Sequence, residues 1–195
     1  LHKAASDFDV LRENTRGPVW WDAVIPTLLP KLSDSDATLL RSEHQAQTAF
    51  DRSQLPEGVA HADLFKDNVL FSDGQLAGLI DFYYACNETL LYDVAVTVND
   101  WCRSADGSLD QAQVKALLDA YHAERGLQPA ESEAWSLMLR AAALRFWASR
   151  LKDFHFPREG EMTHTKNPDE FRDLLVWHHQ NSCYFPALSN AAANS

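Results

Sequence analysis

Residues 69–80 constrain this chain more than any other stretch. Val69-Leu70-Phe71 and Leu76-Ala77-Gly78-Leu79-Ile80 are short apolar runs separated by Ser72-Asp73-Gly74-Gln75. Asp-Gly between apolar runs signals a hairpin, because the two-residue turn that suits strand twist needs positive φ at both central positions. The rest of the chain repeats with helical spacing. Leu91, Val94, Ala95, Val98, Trp101 and Cys102 form one buried stripe; Val114, Leu117, Leu118 and Tyr121 form a second, stopped by Gly126. Trp135, Met138, Leu139, Ala142 and Phe146 form a longer one, which Pro157 ends. Asn167-Pro168-Asp169-Glu170 reads as an N-cap, a first-turn proline and acids facing the helix dipole, opening a helix that runs to about Ser182. Trp20 to Leu32 and Asp36 to Phe50 are two further predicted helices. The expected architecture is mostly α with one small β-hairpin. It forms a single unit over 1–189 with a helical body at 90–182, followed by a frayed tail at 190–195.

Composition narrows the function classes. The net charge of −11 opposes a nucleic-acid or anionic-membrane surface, since phosphate-binding faces need clustered Lys and Arg. No apolar run approaches the roughly 20 residues that span a bilayer. Cys86, Cys102 and Cys183 are an odd, widely spaced set without a Cys-x-x-Cys pair, so a disulfide framework or zinc ribbon has little support and a reducing, cytoplasmic setting is expected. His178-His179 with His164 shows no ligand spacing, because adjacent histidines leave a helix on different faces.

Acids flank the hairpin on both sides. Before it stands His61-Ala62-Asp63-Leu64-Phe65-Lys66-Asp67-Asn68, and after it Ile80-Asp81-Phe82. The spacing of His61, Asp63 and Asn68 is that of a His-x-Asp-x-x-x-x-Asn catalytic loop, here at 61–68, followed by a metal-binding hairpin at 69–82. The chemistry explains the set. A hydroxyl nucleophile needs a carboxylate within reach to take its proton, a role that suits Asp63. A transferring phosphoryl group needs Mg²⁺, a hard cation that prefers oxygen ligands such as the Asn68 amide and the Asp81 carboxylate. A short hairpin returns Asp81 beside Asn68. An acid between Ile80 and Phe82 is also costly to leave unpaired.

On these residues the chain resembles the aminoglycoside and choline kinase superfamily, which shares the protein-kinase-like fold. Within it, HADLFKDNVLF and GLIDFYYACNETLLYDVAVTVNDWC are similar to the bacterial homoserine kinases, and the likeness continues through LRFWASRLKD and KNPDEFRDLL. The resemblance implies the C-terminal lobe of such an enzyme, with Asp63 as catalytic base, Asn68 and Asp81 as magnesium ligands, and ATP and Mg²⁺ as cofactors. The acceptor it implies is homoserine, on the way to threonine. The superfamily usually has Gly where Ala62 stands, so the extra methyl requires a negative φ there.

Other residues have more than one reading. Lys66 either contacts the transferring phosphate or is a solvated loop cation. His61 orients the loop, and Asp93 braces it. An amino-acid acceptor needs a planar cation for its carboxylate and an acid for its ammonium. Arg145 with Asp100 fits that pair, with Tyr83 beside them. Arg150 shares the aromatic-rich helix of Arg145.

The seven glycines are scattered, with no Gly-x-Gly-x-x-Gly phosphate loop among them. The expectation is therefore a lobe without its N-terminal nucleotide-binding partner lobe, nearly inactive by itself. Two function classes stand side by side. One is an ATP-dependent phosphotransferase acting on homoserine or on another small acceptor such as an aminoglycoside or choline. The other is a catalytically dead kinase-like binding module.

Overall fold

A computed structural model describes residues 1–157 and 166–188. Among these residues six α-helices form: α1 (Pro18–Leu28), α2 (Asp34–Ala49), α3 (Leu90–Trp101), α4 (Gln111–Arg125), α5 (Pro129–His155) and α6 (Asp169–Gln180). The 27-residue α5 is the axis of the body, and α1, α2, α3 and α6 all pack on it. Its sequence explains why. Ala141, Ala143, Leu144 and Trp147 are as buried as the predicted stripe, so α5 is apolar on nearly every face and becomes the centre of the core.

Local chemistry sets the helix ends. The Ser33 hydroxyl accepts from Asp36 N–H at the start of α2, and Asp110 accepts from Ala112 and Gln113 N–H at the start of α4. Gly126 closes α4 at φ +56°. A capping box of Gln128 and Glu131 opens α5, with Arg125 paired to the buried Glu131. Asn167 Oδ1 accepts from Asp169 N–H, the cap expected there, although α6 begins one residue later than the proline suggested and ends at Gln180.

The hairpin forms where the sequence places it. β2 (Val69–Ser72) and β3 (Gln75–Leu79) pair antiparallel around Asp73 (φ +52°) and Gly74 (φ +76°), with a register shift between Leu70 and Phe71. A second ladder was not expected from the sequence. β1 (Glu57–Ala60) pairs antiparallel with β4 (Cys86–Thr89), matching Ala60 to Cys86 and Glu57 to Thr89. It clamps the chain entering the 61–68 loop to the chain leaving the hairpin. The architecture is thus a helical body bearing two small antiparallel ladders.

The tail expected at 190–195 and His164 lie outside the described residues. Among the described residues no helix is long and apolar enough to cross a membrane. All three cysteines are free. Burial pushes the Cys86 thiol up to about 12 and those of Cys102 and Cys183 to about 11, so none is poised as a nucleophile.

Candidate active site

The 61–68 loop is held from beneath by one carboxylate. Asp93, in the first turn of α3 and almost fully buried, accepts from His61 N–H at 3.0 Å and from Ala62 N–H at 2.7 Å. His2 Nε2 lies 3.0 Å from the same carboxylate. This bracing fixes an uncomfortable backbone, because φ at Ala62 is +61°, not the negative value the methyl group prefers. A non-glycine residue in the left-handed region loses on the order of 1–2 kcal/mol. The two hydrogen bonds to Asp93 offset that strain. His61 is fully buried, its Nε2–H donates to Ile80 O at 2.9 Å, and its ring packs on Phe82. It therefore ties the loop to the far end of the hairpin.

That end of the hairpin is closed by Ile80 N–H donating to Asn68 O at 3.0 Å, which brings Asp81 back beside Asn68. Asp81 sits at φ +61°, in the left-handed region that Asp tolerates better than Ala. The Asn68 side-chain amide N–H donates to Asp63 O at 2.8 Å, and its side-chain carbonyl oxygen has no hydrogen-bond partner among the described residues. Asp63, Asn68 and Asp81 all line one cleft of about 490 Å³. The Asn68 carbonyl and the Asp81 carboxylate fit a hard divalent cation as a partial shell. A Mg²⁺ site of this kind draws its remaining ligands from water and phosphate.

Asp63 is held by opposing influences. Burial raises its pKa, while Arg145 and, more weakly, His61 and Lys166 pull it down. The Arg145 guanidinium stands 3.2 Å from Asp63 Oδ1 and is itself 4% exposed, packed on Phe146 at 3.8 Å and Tyr84 at 4.8 Å from the ring centroids. The cleft wall also carries Arg16, Arg150, Lys152 and Lys166, a concentration of positive charge within an acidic chain.

The predicted residues separate clearly. Asp63, Asn68, Asp81 and Arg145 come together in the cleft, with His61 and Asp93 behind them. Asp100, Tyr83 and Lys66 do not line it. The Asp100 carboxylate accepts from the backbone N–H of Lys66 at 2.8 Å, which makes it a second brace of the loop. Tyr83 is 70% exposed, and the neighbouring Tyr84 takes its place in the cleft. Sequence reasoning missed Arg16, Ser149, Lys152, Asp153 and Lys166. A signal existed for those on α5. Arg145, Ser149, Lys152 and Asp153 follow i, i+4, i+7, i+8, a polar line on an otherwise buried helix.

The profile of the phosphotransferase enzyme family matches residues 1–127. The chain belongs to that family. It is 49% identical over 176 residues to a homoserine kinase of Neisseria meningitidis serogroup B, covering 90% of this chain and 58% of that protein. It is 47% identical over 175 residues to a homoserine kinase of Methylobacillus flagellatus, covering 90% and 55%. The chain thus spans slightly more than half the length of these relatives. Among solved structures it superposes on the amicoumacin kinase hAmiN in complex with AMP-PNP, Ca²⁺ and Ami, with a TM-score of 0.57 at 17% identity over 92% of this chain and 54% of that one. A Plasmodium vivax ethanolamine kinase gives 0.56 at 16% identity, covering 86% and 50%. At those identities the likeness supports the kinase-like lobe fold alone.

Proposed function

We propose that this chain is the acceptor-side lobe of an ATP-dependent phosphotransferase whose acceptor is L-homoserine, acting in threonine biosynthesis in the cytosol. The observation that carries this is the hairpin closure that sets Asn68 and Asp81 beside Asp63 at one cleft. The similarity to homoserine kinases supports the acceptor. A substrate hydroxyl placed against Asp63 gives its proton to the carboxylate as its oxygen bonds to the γ-phosphorus. The bond from that phosphorus to the bridging oxygen of ADP breaks in line. The Arg145 guanidinium keeps Asp63 ionised and aimed. Asn68 and Asp81 would hold the magnesium, which supplies charge neutralisation at the phosphates when bound. The remaining nucleotide contacts belong to the part of the relatives' length that this chain does not span.

The test is ADP release from Mg-ATP in a protein carrying this chain at the full length of its relatives. Homoserine is the acceptor, with an aminoglycoside and choline beside it. Homoserine-dependent turnover of about 1–100 per second is expected. Asp63→Asn should lower it by roughly 10²–10⁴, and a loss below about fivefold would remove Asp63 from the base role. Turnover with another acceptor alone would discard homoserine. Metal-dependent binding with no turnover on any acceptor would make the protein a binding module.

A further inference from the structure

Of the cations lining the cleft, two arginines are already engaged. The Arg145 guanidinium is committed to Asp63, and Arg150 to Glu170 and the carbonyl oxygen of Asn167. Lys152 and Lys166 are point charges on flexible stems, each about 6.0 Å from an aromatic ring centroid. Arg16 is different. Its guanidinium lies 4.8 Å from the Trp20 ring centroid and 5.5 Å from that of Tyr84. Among the described residues the guanidinium has neither an ion-pair nor a hydrogen-bond partner.

The backbone beneath Arg16 is fixed. Arg16 N–H donates to Asn14 Oδ1 at 2.9 Å, and Asn14 Nδ2–H donates to Glu88 Oε2 on β4 at 2.8 Å. Arg12 and Asn87 exchange two further hydrogen bonds, each of 2.8 Å. The segment is therefore strapped to the strand that follows the hairpin, and the guanidinium lies against two rings. Such a fork loses little side-chain entropy when it meets a carboxylate, and it offers two parallel donors that a lysine lacks.

Position completes the case. Tyr84 lies three residues beyond Asp81, and its ring carries Arg16 at 5.5 Å and Arg145 at 4.8 Å, while Arg145 touches Asp63. Arg16 thus lines the same cleft as Asp63, the group proposed to receive the hydroxyl, and is linked to it through the Tyr84 ring and the Arg145 guanidinium. We propose that Arg16 receives the carboxylate of the acceptor, so that the site selects hydroxyl acceptors bearing an anionic group and discriminates against amino alcohols and aminosugars. This inference rests on the phosphotransferase reading above and specifies which residue sets acceptor class.

The experiment measures kcat and KM for L-homoserine, for L-homoserine amide and for ATP in the full-length protein, its Arg16→Leu variant and its Arg16→Lys variant. The amide keeps the hydroxyl and the ammonium and removes the negative charge. The unmodified protein should favour homoserine over the amide. Arg16→Leu should raise KM for homoserine about 10- to 100-fold, the loss expected for a charge-assisted pair, and collapse that preference. Its KM for ATP should move less than about twofold. Arg16→Lys should keep part of the preference, because it keeps the charge and loses the fork. It also supplies the comparison if the leucine variant folds poorly. An unchanged preference in a variant that turns over homoserine normally overturns the assignment while leaving the phosphotransferase reading intact. A rise in KM for ATP in place of homoserine also overturns it, moving Arg16 to the nucleotide. Absence of ATP-dependent turnover in the unmodified protein overturns both.

Discussion

In the base role proposed for it, Asp63 must be ionised to accept a proton, yet burial disfavours the charge. Burial raises its pKa, and the Arg145 guanidinium at 3.2 Å is the largest influence opposing that rise. The sign of the pH dependence follows. A base is active when deprotonated, so kcat/KM falls as pH drops through the Asp63 pKa. Because that pKa is raised, the acid limb lies above the ordinary carboxylate range near 3.8. Arg145→Met, which keeps much of the side-chain volume over Phe146, removes the opposing charge and should move the acid limb to higher pH, with a lower plateau because the carboxylate is no longer aimed. A pH–rate profile of both proteins checks this. A limb at the same pH in each would mean that Arg145 does not tune Asp63. Ala62 shows a different residue-scale compromise, a methyl group held at φ +61° by hydrogen bonds to Asp93. A carboxylate that binds two successive N–H groups fixes the direction of the chain entering Asp63 more tightly than side-chain packing alone would.

At the scale of elements, polar pins join the helices behind the cleft. His178 of α6 donates through Nε2–H to Asn99 Oδ1 of α3, and Asn99 Nδ2–H donates to Leu139 O of α5. Burial, aided by nearby Arg140, His179 and Arg103, lowers the His178 pKa to about 3. The folded state therefore keeps His178 neutral, while the unfolded chain takes up a proton below about 6.5. Stability from this group is complete above the unfolded value and declines as pH falls towards 3. Between pH 7 and pH 5 it should contribute a loss of about 2 kcal/mol. His178→Gln retains a donor for Asn99 and removes the titration. Urea unfolding at the two pH values should show a smaller loss in the variant by that amount, and equal losses would exclude His178 as the group responsible. How legible these elements were depended on how local their causes are. Asp73-Gly74 announces its turn through two residues that accept positive φ, and Asp63 and Asn68 announce their loop by spacing. The β1–β4 ladder was hidden, because four-residue strands separated by the whole loop and hairpin carry no periodic signal. Arg16 was hidden for the same reason: it reaches the cleft only through a strap to Asn87 and Glu88. The line from Arg145 to Asp153 was readable in principle, but the apolar stripe around it dominated.

The whole molecule presents its chemistry on a face that it does not cover. Leu70, Phe71 and Leu76 of the hairpin are exposed, Phe71 by 58% and Leu76 by 61%, and Ile80, Phe82 and Tyr83 continue this exposure past Asp81. Among the described residues β2 and β3 pair with each other and with no third strand, and an isolated two-stranded hairpin is marginal in water. What steadies this one is its base, where His61 and Asn68 hold Ile80, together with the edge contact of Phe71 on Trp101. Soluble monomers rarely leave such apolar surface in water unless another surface meets it. This chain spans slightly more than half the length of the relatives it matches, and the exposed residues border the positions proposed for the metal and the base. The chain alone should therefore bind a hydrophobic dye such as anilinonaphthalene sulfonate and elute from a sizing column ahead of a 22.0 kDa monomer. Leu70→Thr with Leu76→Thr should reduce both effects while leaving the unfolding midpoint within a few degrees, since surface substitutions change stability by only about 0.5 kcal/mol. Restoring the full length of the relatives should suppress dye binding without any substitution. A monodisperse chain that ignores the dye would show that the hairpin face is complete as it stands, and that the cleft does not depend on a neighbouring surface for its shape.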